Sequence, residues 1–177
     1  MEYRTKTYIA GDWTGDEDAI KTLYEWKKNN KLTLDFVDAH EYTQASDDDL
    51  LCSIKTSLRK RLNVSKTFVL IVGKQTKNLT KGGCQHCKSY NSYNKRCCRN
   101  NALDYRSYIE YECEMALKDY QDNLIKKIVV IYNYANVDKS KCPECIKGYG
   151  THIVMYYKET DGKEYWNYNE INKAISD

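Results

Sequence analysis

The run TFVLIV, Thr67 to Val72, is apolar or β-branched at every position. A strand with one face in water alternates polar and apolar residues; a strand without alternation must be covered on both faces. A second run of the same kind, KIVVIY, spans Lys127 to Tyr132. Two such runs separated by amphipathic segments imply a parallel sheet with helices on both sides.

The rest of the chain supplies that alternation. Thr7 to Ala10 (TYIA) reads as a short first strand, stopped by the turn signal GDWTG. Asp16 to Lys28 sets Ala19, Ile20, Leu23 and Trp26 at helical spacing. Leu32 to Val37 (LTLDFV) alternates and reads as strand two. Ser46 has the character of an N-cap, and Asp47 to Asp49 favour the positive end of a helix. Leu51, Ile54, Leu58 and Leu62 form the stripe of that helix, with KTSLRKR as its solvated cationic face. Asp104 to Tyr120 is helical again, with Ile109, Cys113, Ala116 and Tyr120 on one face. Ile153 to Tyr157 reads as a fifth strand and Asn169 to Ile175 as a closing helix. The expectation is α/β: a single flavodoxin-like, doubly wound parallel sheet of five strands in the order 2-1-3-4-5. One domain spans 1–177, with a Cys-rich insertion at 76–103 after strand three.

Composition narrows the function classes. The chain is 41% hydrophobic and 30% charged with a net charge of +3, too weakly basic to argue for nucleic acid. Its longest apolar run, Phe68 to Val72, is far short of the ~20 residues of a membrane span. The opening MEYRTKTYIAGDW has an early acid and no apolar core of a signal peptide, so a cytoplasmic location is expected.

In a reducing compartment the eight cysteines are ligands or core residues rather than disulfides. Cys84 and Cys87 form one CxxC pair, and Cys142 and Cys145 another. Each CxxC turn brings two thiolates within reach of one ion, and four thiolates at ~2.3 Å complete a closed, structural zinc site. The two loops follow strands expected to be neighbours, so the pairs are expected to meet. Cys97, Cys98 or His86 are the competing ligands beside Cys84 and Cys87.

In an open α/β sheet, ligands bind beyond the carboxyl ends of the strands, where the strand order reverses. The loop Gly11 to Gly15, the loop Asp38 to Ser46 and the start of the helix bearing YIEYECEMA converge there. No GxGxxG or GxxxxGK[ST] spacing is present, which disfavours a dinucleotide fold or a P-loop NTPase. Glu110, Glu112 and Glu114 all lie on that helix, and periodicity alone does not choose among them.

IKTSLRKRLNVSKTFVLIVGKQT, followed after the insertion by YIEYECEMAL, resembles the TIR-like family of bacterial antiphage systems of the Thoeris type. Tyr108 stands where the family's box has Trp, and Glu112 falls on its Glu position. TYIAGDW and LDFVDAHE match the first two strands. The resemblance implies cleavage of NAD+ at the nicotinamide ribosyl bond, giving ADP-ribose or a cyclised isomer used as a signal by a downstream effector. It implies Glu112 as the catalytic carboxylate, Trp13 stacking on a flat ring, and Asp12 or Asp38 holding ribose hydroxyls. His40 and Ser46 lie in the loop that borders the pocket in TIR domains and packs against neighbouring subunits. The alternative is a non-catalytic interaction module that self-associates, for which the seventeen tyrosines supply contact area. A phosphate-accepting receiver domain lacks support, because Val72-Gly73-Lys74 ends strand three where an Asp would be needed.

Overall fold

A computed structural model describes residues 3–39, 50–95 and 103–176. Four parallel strands form the main sheet in the order β1-β2-β3-β4: β1 (Lys6–Ala10), β2 (Ser65–Val72), β3 (Lys127–Tyr132) and β4 (Thr151–Val154). The helices are α1 (Glu17–Lys28), α2 (Leu51–Asn63), α3 (Tyr108–Gln121) and α4 (Tyr168–Ser176). A small antiparallel hairpin pairs β5 (Tyr156–Lys158) with β6 (Glu164–Trp166).

The non-alternating runs do what their composition requires. Side chains of successive strand residues point to opposite faces. Tyr8, Phe68, Leu70, Ile128 and Val130 therefore pack on one side, against Leu58 and Leu62 of α2 and Ile109, Cys113 and Ala116 of α3. Ile9, Val69, Ile71, Val129 and Ile131 pack on the other, against Ala19, Ile20 and Leu23 of α1 and Ile171 and Ile175 of α4. Each leucine or isoleucine so buried contributes roughly 1.5–3 kcal/mol.

The sheet departs from expectation at its edge. Leu32 to Val37 was expected as strand two of a 2-1-3-4-5 sheet, yet only a single parallel bridge joins Thr7 to Asp38. Thr7 N donates to Val37 O at 2.7 Å beside it. Alternation survives, since Leu34 and Phe36 are buried beside α1. The backbone donors are captured elsewhere: Thr33 N and Leu34 N both donate to the Tyr168 hydroxyl of α4, at 2.7 and 3.0 Å. The fifth strand also differs. HIVMYY breaks at the fully buried Met155, whose N–H donates to Tyr132 O at 2.7 Å, and the chain then turns into the β5–β6 hairpin.

Ser46 is not the cap of α2: the helix begins at Leu51, with Leu50 in extended conformation at the cap position and no acid in the first turn, while Ser46 and Asp47 to Asp49 themselves lie outside the described residues. The α2 face called cationic and solvated is instead partly buried: Lys55 is 6% exposed and Arg61 9%. Lys55 Nζ reaches the carbonyl of Arg106 at 2.7 Å and the Asp104 carboxylate at 3.2 Å, tying α2 to the segment before α3. At the far end of α3, buried Asp119 pairs with Arg4 at 2.7 Å and Arg59 of α2 at 2.9 Å.

Candidate functional site

The start of α3 sorts its three glutamates by local chemistry. Ser107 caps the helix, with Glu110 N donating to Ser107 Oγ at 3.2 Å and Ser107 N donating to Glu110 Oε2 at 2.7 Å. This reciprocal box is worth about 1 kcal/mol and commits Glu110 to the helix end. Two residues on, a 200° rotation at 100° per residue turns Glu112 to the sheet side. Glu114, another two residues along, is exposed and pairs with Arg106 at 2.7 Å.

Glu112 is 6% exposed. The hydroxyl of fully buried Tyr8 in β1 donates to its Oε1 in a very short hydrogen bond. Burial pushes the Glu112 pKa up to about 7, while the Tyr8 hydrogen bond and the nearby Arg61 guanidinium pull it down. The group therefore changes charge close to neutral pH. The same contact and burial push the Tyr8 hydroxyl well above its ordinary value.

Glu112 lines a cavity of about 740 Å³ at the carboxyl end of β1. Asp12, Trp13 and Asp38 line it with Glu112, so four of the residues expected from sequence are brought together. Asp38 is 5% exposed and accepts a short hydrogen bond from the Tyr24 hydroxyl of α1. Asp12 accepts from Thr14 N at 3.2 Å, which shapes the β1–α1 turn. Trp13 is 46% exposed, with its ring 6.3 Å from that of Tyr24. His40 and Ser46 lie outside the described residues. Sequence reasoning missed Tyr8, Tyr24, Arg61 and Lys81 on or behind this cavity. Arg61 precedes Leu62 of the apolar stripe, a position from which a long side chain reaches the core edge.

The cavity is polarised. Arg61 and Lys81 bring positive charge, and Asp12, Asp38 and Glu112 bring carboxylates. Ile54, Leu58 and Leu79 add apolar wall. Such a lining suits a ligand with a flat apolar ring, hydroxyls and an anionic group.

Residues 8–81 match the family model described as Thoeris protein ThsB, TIR-like domain. Over that stretch the chain is similar to a TIR-like domain. The matched stretch supplies Asp12, Trp13, Asp38, Arg61 and Lys81 to the cavity and ends before α3, which supplies Glu112. No curated protein matches the chain.

The cysteines among the described residues fall into two separate clusters. Cys84 and Cys87 pack with Leu50, Leu51, Cys52, Tyr90 and Leu103 near the start of α2. Cys142 and Cys145 pack on α3 beside Cys113 in the core on that side of the sheet. Among the described residues no group of three or more His, Cys, Asp or Glu side chains could hold a metal ion. The expected meeting of the two CxxC turns on one zinc is thus not seen there: one turns onto α2, the other onto α3. Cys97 and Cys98 lie outside the described residues. Among the described residues no helix is long and apolar enough to cross a membrane.

Proposed function

We propose that this TIR-like protein cleaves NAD+ at the nicotinamide ribosyl bond as a signalling step in antiphage defence. The observation that carries the reading is the buried Glu112 carboxylate lining one cavity with Asp12, Trp13 and Asp38. Breaking the bond makes the ribose oxocarbenium-like, and a carboxylate in a water-poor site stabilises that charge as it develops. Nicotinamide leaves as a neutral ring, so no general acid is needed and one glutamate suffices.

The neighbours divide the remaining work. Trp13 stacks on a flat ring, Asp12 and Asp38 hold ribose hydroxyls, and Arg61 with Lys81 face the diphosphate. The Tyr8 hydroxyl orients Glu112 and favours its ionised form. The volume, about 740 Å³, falls within the roughly 300–1,000 Å³ of small-molecule sites. The product is ADP-ribose or a cyclised isomer, read by a downstream effector.

Nicotinamide release from NAD+ by the purified protein, with and without a phage-derived trigger, is the test. Turnover by wild type and its loss in Glu112→Gln support the reading; equal turnover in that variant removes Glu112 from the reaction. The second reading, a self-associating interaction module, draws on exposed Tyr157, Tyr165 and Trp166 of the hairpin. Concentration-dependent assembly without nicotinamide release under any trigger favours it.

A further inference from the structure

A second cavity, of about 640 Å³, lies on the other side of the β1–α1 turn. Asp12 lines both cavities. The chemistry of the second is different. Asp12, Asp16 and Asp18 line one wall, and among the described residues none of them forms an ion pair with a lysine or arginine. Lys74 is the cationic side chain on the lining, while Glu164 at the rim is paired with Lys158 at 2.9 Å.

The acidic wall is rigidly built. Asp16 is 3% exposed. Asn133 Nδ2 donates to Asp16 Oδ1 at 3.1 Å and to Asp18 Oδ1 at 3.0 Å, fixing both from the end of β3. A Cβ at Gly73 would stand 1.8 Å from Asp16 Oδ1, so the backbone after β2 approaches the carboxylate directly. Burial raises the Asp16 pKa; the Asn133 hydrogen bond opposes this, and Asp12 and Asp18 add to it. Carboxylates in this state gain from a cation brought beside them.

The lining also has an aromatic part. Tyr156 and Trp166 meet edge to face with centroids 6.1 Å apart, making a corner of ring faces. Tyr134 also lines the cavity, and its buried hydroxyl has no hydrogen-bond partner among the described residues. That oxygen is an acceptor awaiting a donor. Ring faces, carboxylates and a spare acceptor together recognise a cation that carries N–H groups or methyls. A bare divalent ion fits less well, since no group of three or more acidic or His/Cys side chains among the described residues could hold a metal.

We propose that this cavity is a second ligand site, built for a small organic cation whose ammonium or guanidinium group sits between the Asp16 wall and the Tyr156–Trp166 corner. It stands apart from the Glu112 chemistry.

Titration of the full chain by calorimetry, with NMR of the Trp166 indole, uses three probes: agmatine, choline and the neutral isostere of choline, 3,3-dimethylbutan-1-ol. At least one cation binds at millimolar concentration and moves the Trp166 signal, and the neutral isostere binds roughly tenfold or more weakly. Trp166→Ala and Asp18→Asn, both on exposed side chains, each weaken cation binding by roughly tenfold with the fold intact by circular dichroism. Glu112→Gln leaves cation binding unchanged, which separates the outcome from that of the NAD+ reading. Equal binding of the neutral isostere, cation binding unaffected by both variants, or no binding of either cation overturns the proposal. So does displacement of the cations by Mg2+ or Ca2+ at matched concentration.

Discussion

Glu112 and Asp16 are both buried carboxylates on either side of the β1–α1 turn, one in each cavity, and burial raises the pKa of both. Their company differs. Glu112 receives the Tyr8 hydroxyl and has the Arg61 guanidinium nearby. Asp16 receives Asn133 and has two further aspartates. One carboxylate has a cation of the protein's own beside it; the other faces acids and open cavity. Burial alone does not decide what such a group does. A carboxylate with partners on hand is set to answer charge that appears transiently in a bound molecule, whereas one among like charges favours a ligand that arrives charged.

The largest effect expected from this contrast is on turnover. Glu112→Gln keeps the shape and can still accept the Tyr8 hydrogen bond, yet it removes the charge, so NAD+ cleavage should fall by roughly 10²- to 10³-fold. Initial rates of nicotinamide release measure it. The next effect is on stability against pH. Folded Glu112 titrates at about 7, against an ordinary value of 4.5. Between those values the folded chain holds a proton that the unfolded chain has lost, so stability is highest at the acid end and falls as pH rises through the window. Above about 7 the loss is complete and the curve is flat in this term. The difference between wild type and Glu112→Gln in denaturant unfolding should show a fall on the order of 3 kcal/mol across that window. A parallel pair of curves would mean that Glu112 is solvated.

On the other cavity, Gly73→Ala places a methyl against the pinned Asp16 carboxylate, and loss of about 2 kcal/mol is expected from overpacking. Unchanged unfolding midpoints would show that Asp16 swings away freely and that its wall is not preformed.

Much of this arrangement is legible from residue types, and the failures have physical causes. KIVVIY alone delimits β3, because a strand covered on both faces must be apolar throughout. Glu112 is reached through the YIEYECEMA box, but periodicity leaves it level with Glu110. The pattern Ser107-x-x-Glu110 is a capping-box signature, and it would have assigned Glu110 to the helix end from sequence alone. Strand two is illegible in kind: LTLDFV has the right alternation, and what undoes its pairing is the Tyr168 hydroxyl arriving from α4, 135 residues beyond Thr33. Arg61 and Lys55 read as solvated because long basic side chains usually are, and only the carbonyls and carboxylates opposite them reverse that. CxxC spacing shows that two thiols share a turn; it carries no information on which helix the turn leans against.

Tyr8→Phe tests how the partners of Glu112, rather than its burial, set its charge. The phenyl ring fills the same space, and the lost hydroxyl removes a hydrogen bond that favoured the carboxylate. The Glu112 pKa should rise, so the acid limb of the kcat/KM profile should move to higher pH by about one unit, in line with a single charge-assisted hydrogen bond. An unmoved limb would leave burial as the whole cause.

The smallest effect belongs to Glu114→Gln, which removes the same charge from the same helix at an exposed place. Arg106 keeps a second carboxylate partner, Asp104 at 2.8 Å, and its guanidinium lies 5.0 Å from the Tyr111 ring centroid. With Glu114 46% and Arg106 31% exposed, solvent screens the lost ion pair, and the stability change should stay within about 0.5 kcal/mol. Nicotinamide release should be unaltered. If Glu114→Gln instead matched Glu112→Gln in either measurement, the net charge of α3 would be the operative quantity, and the position of Glu112 against Tyr8 and Arg61 would explain nothing.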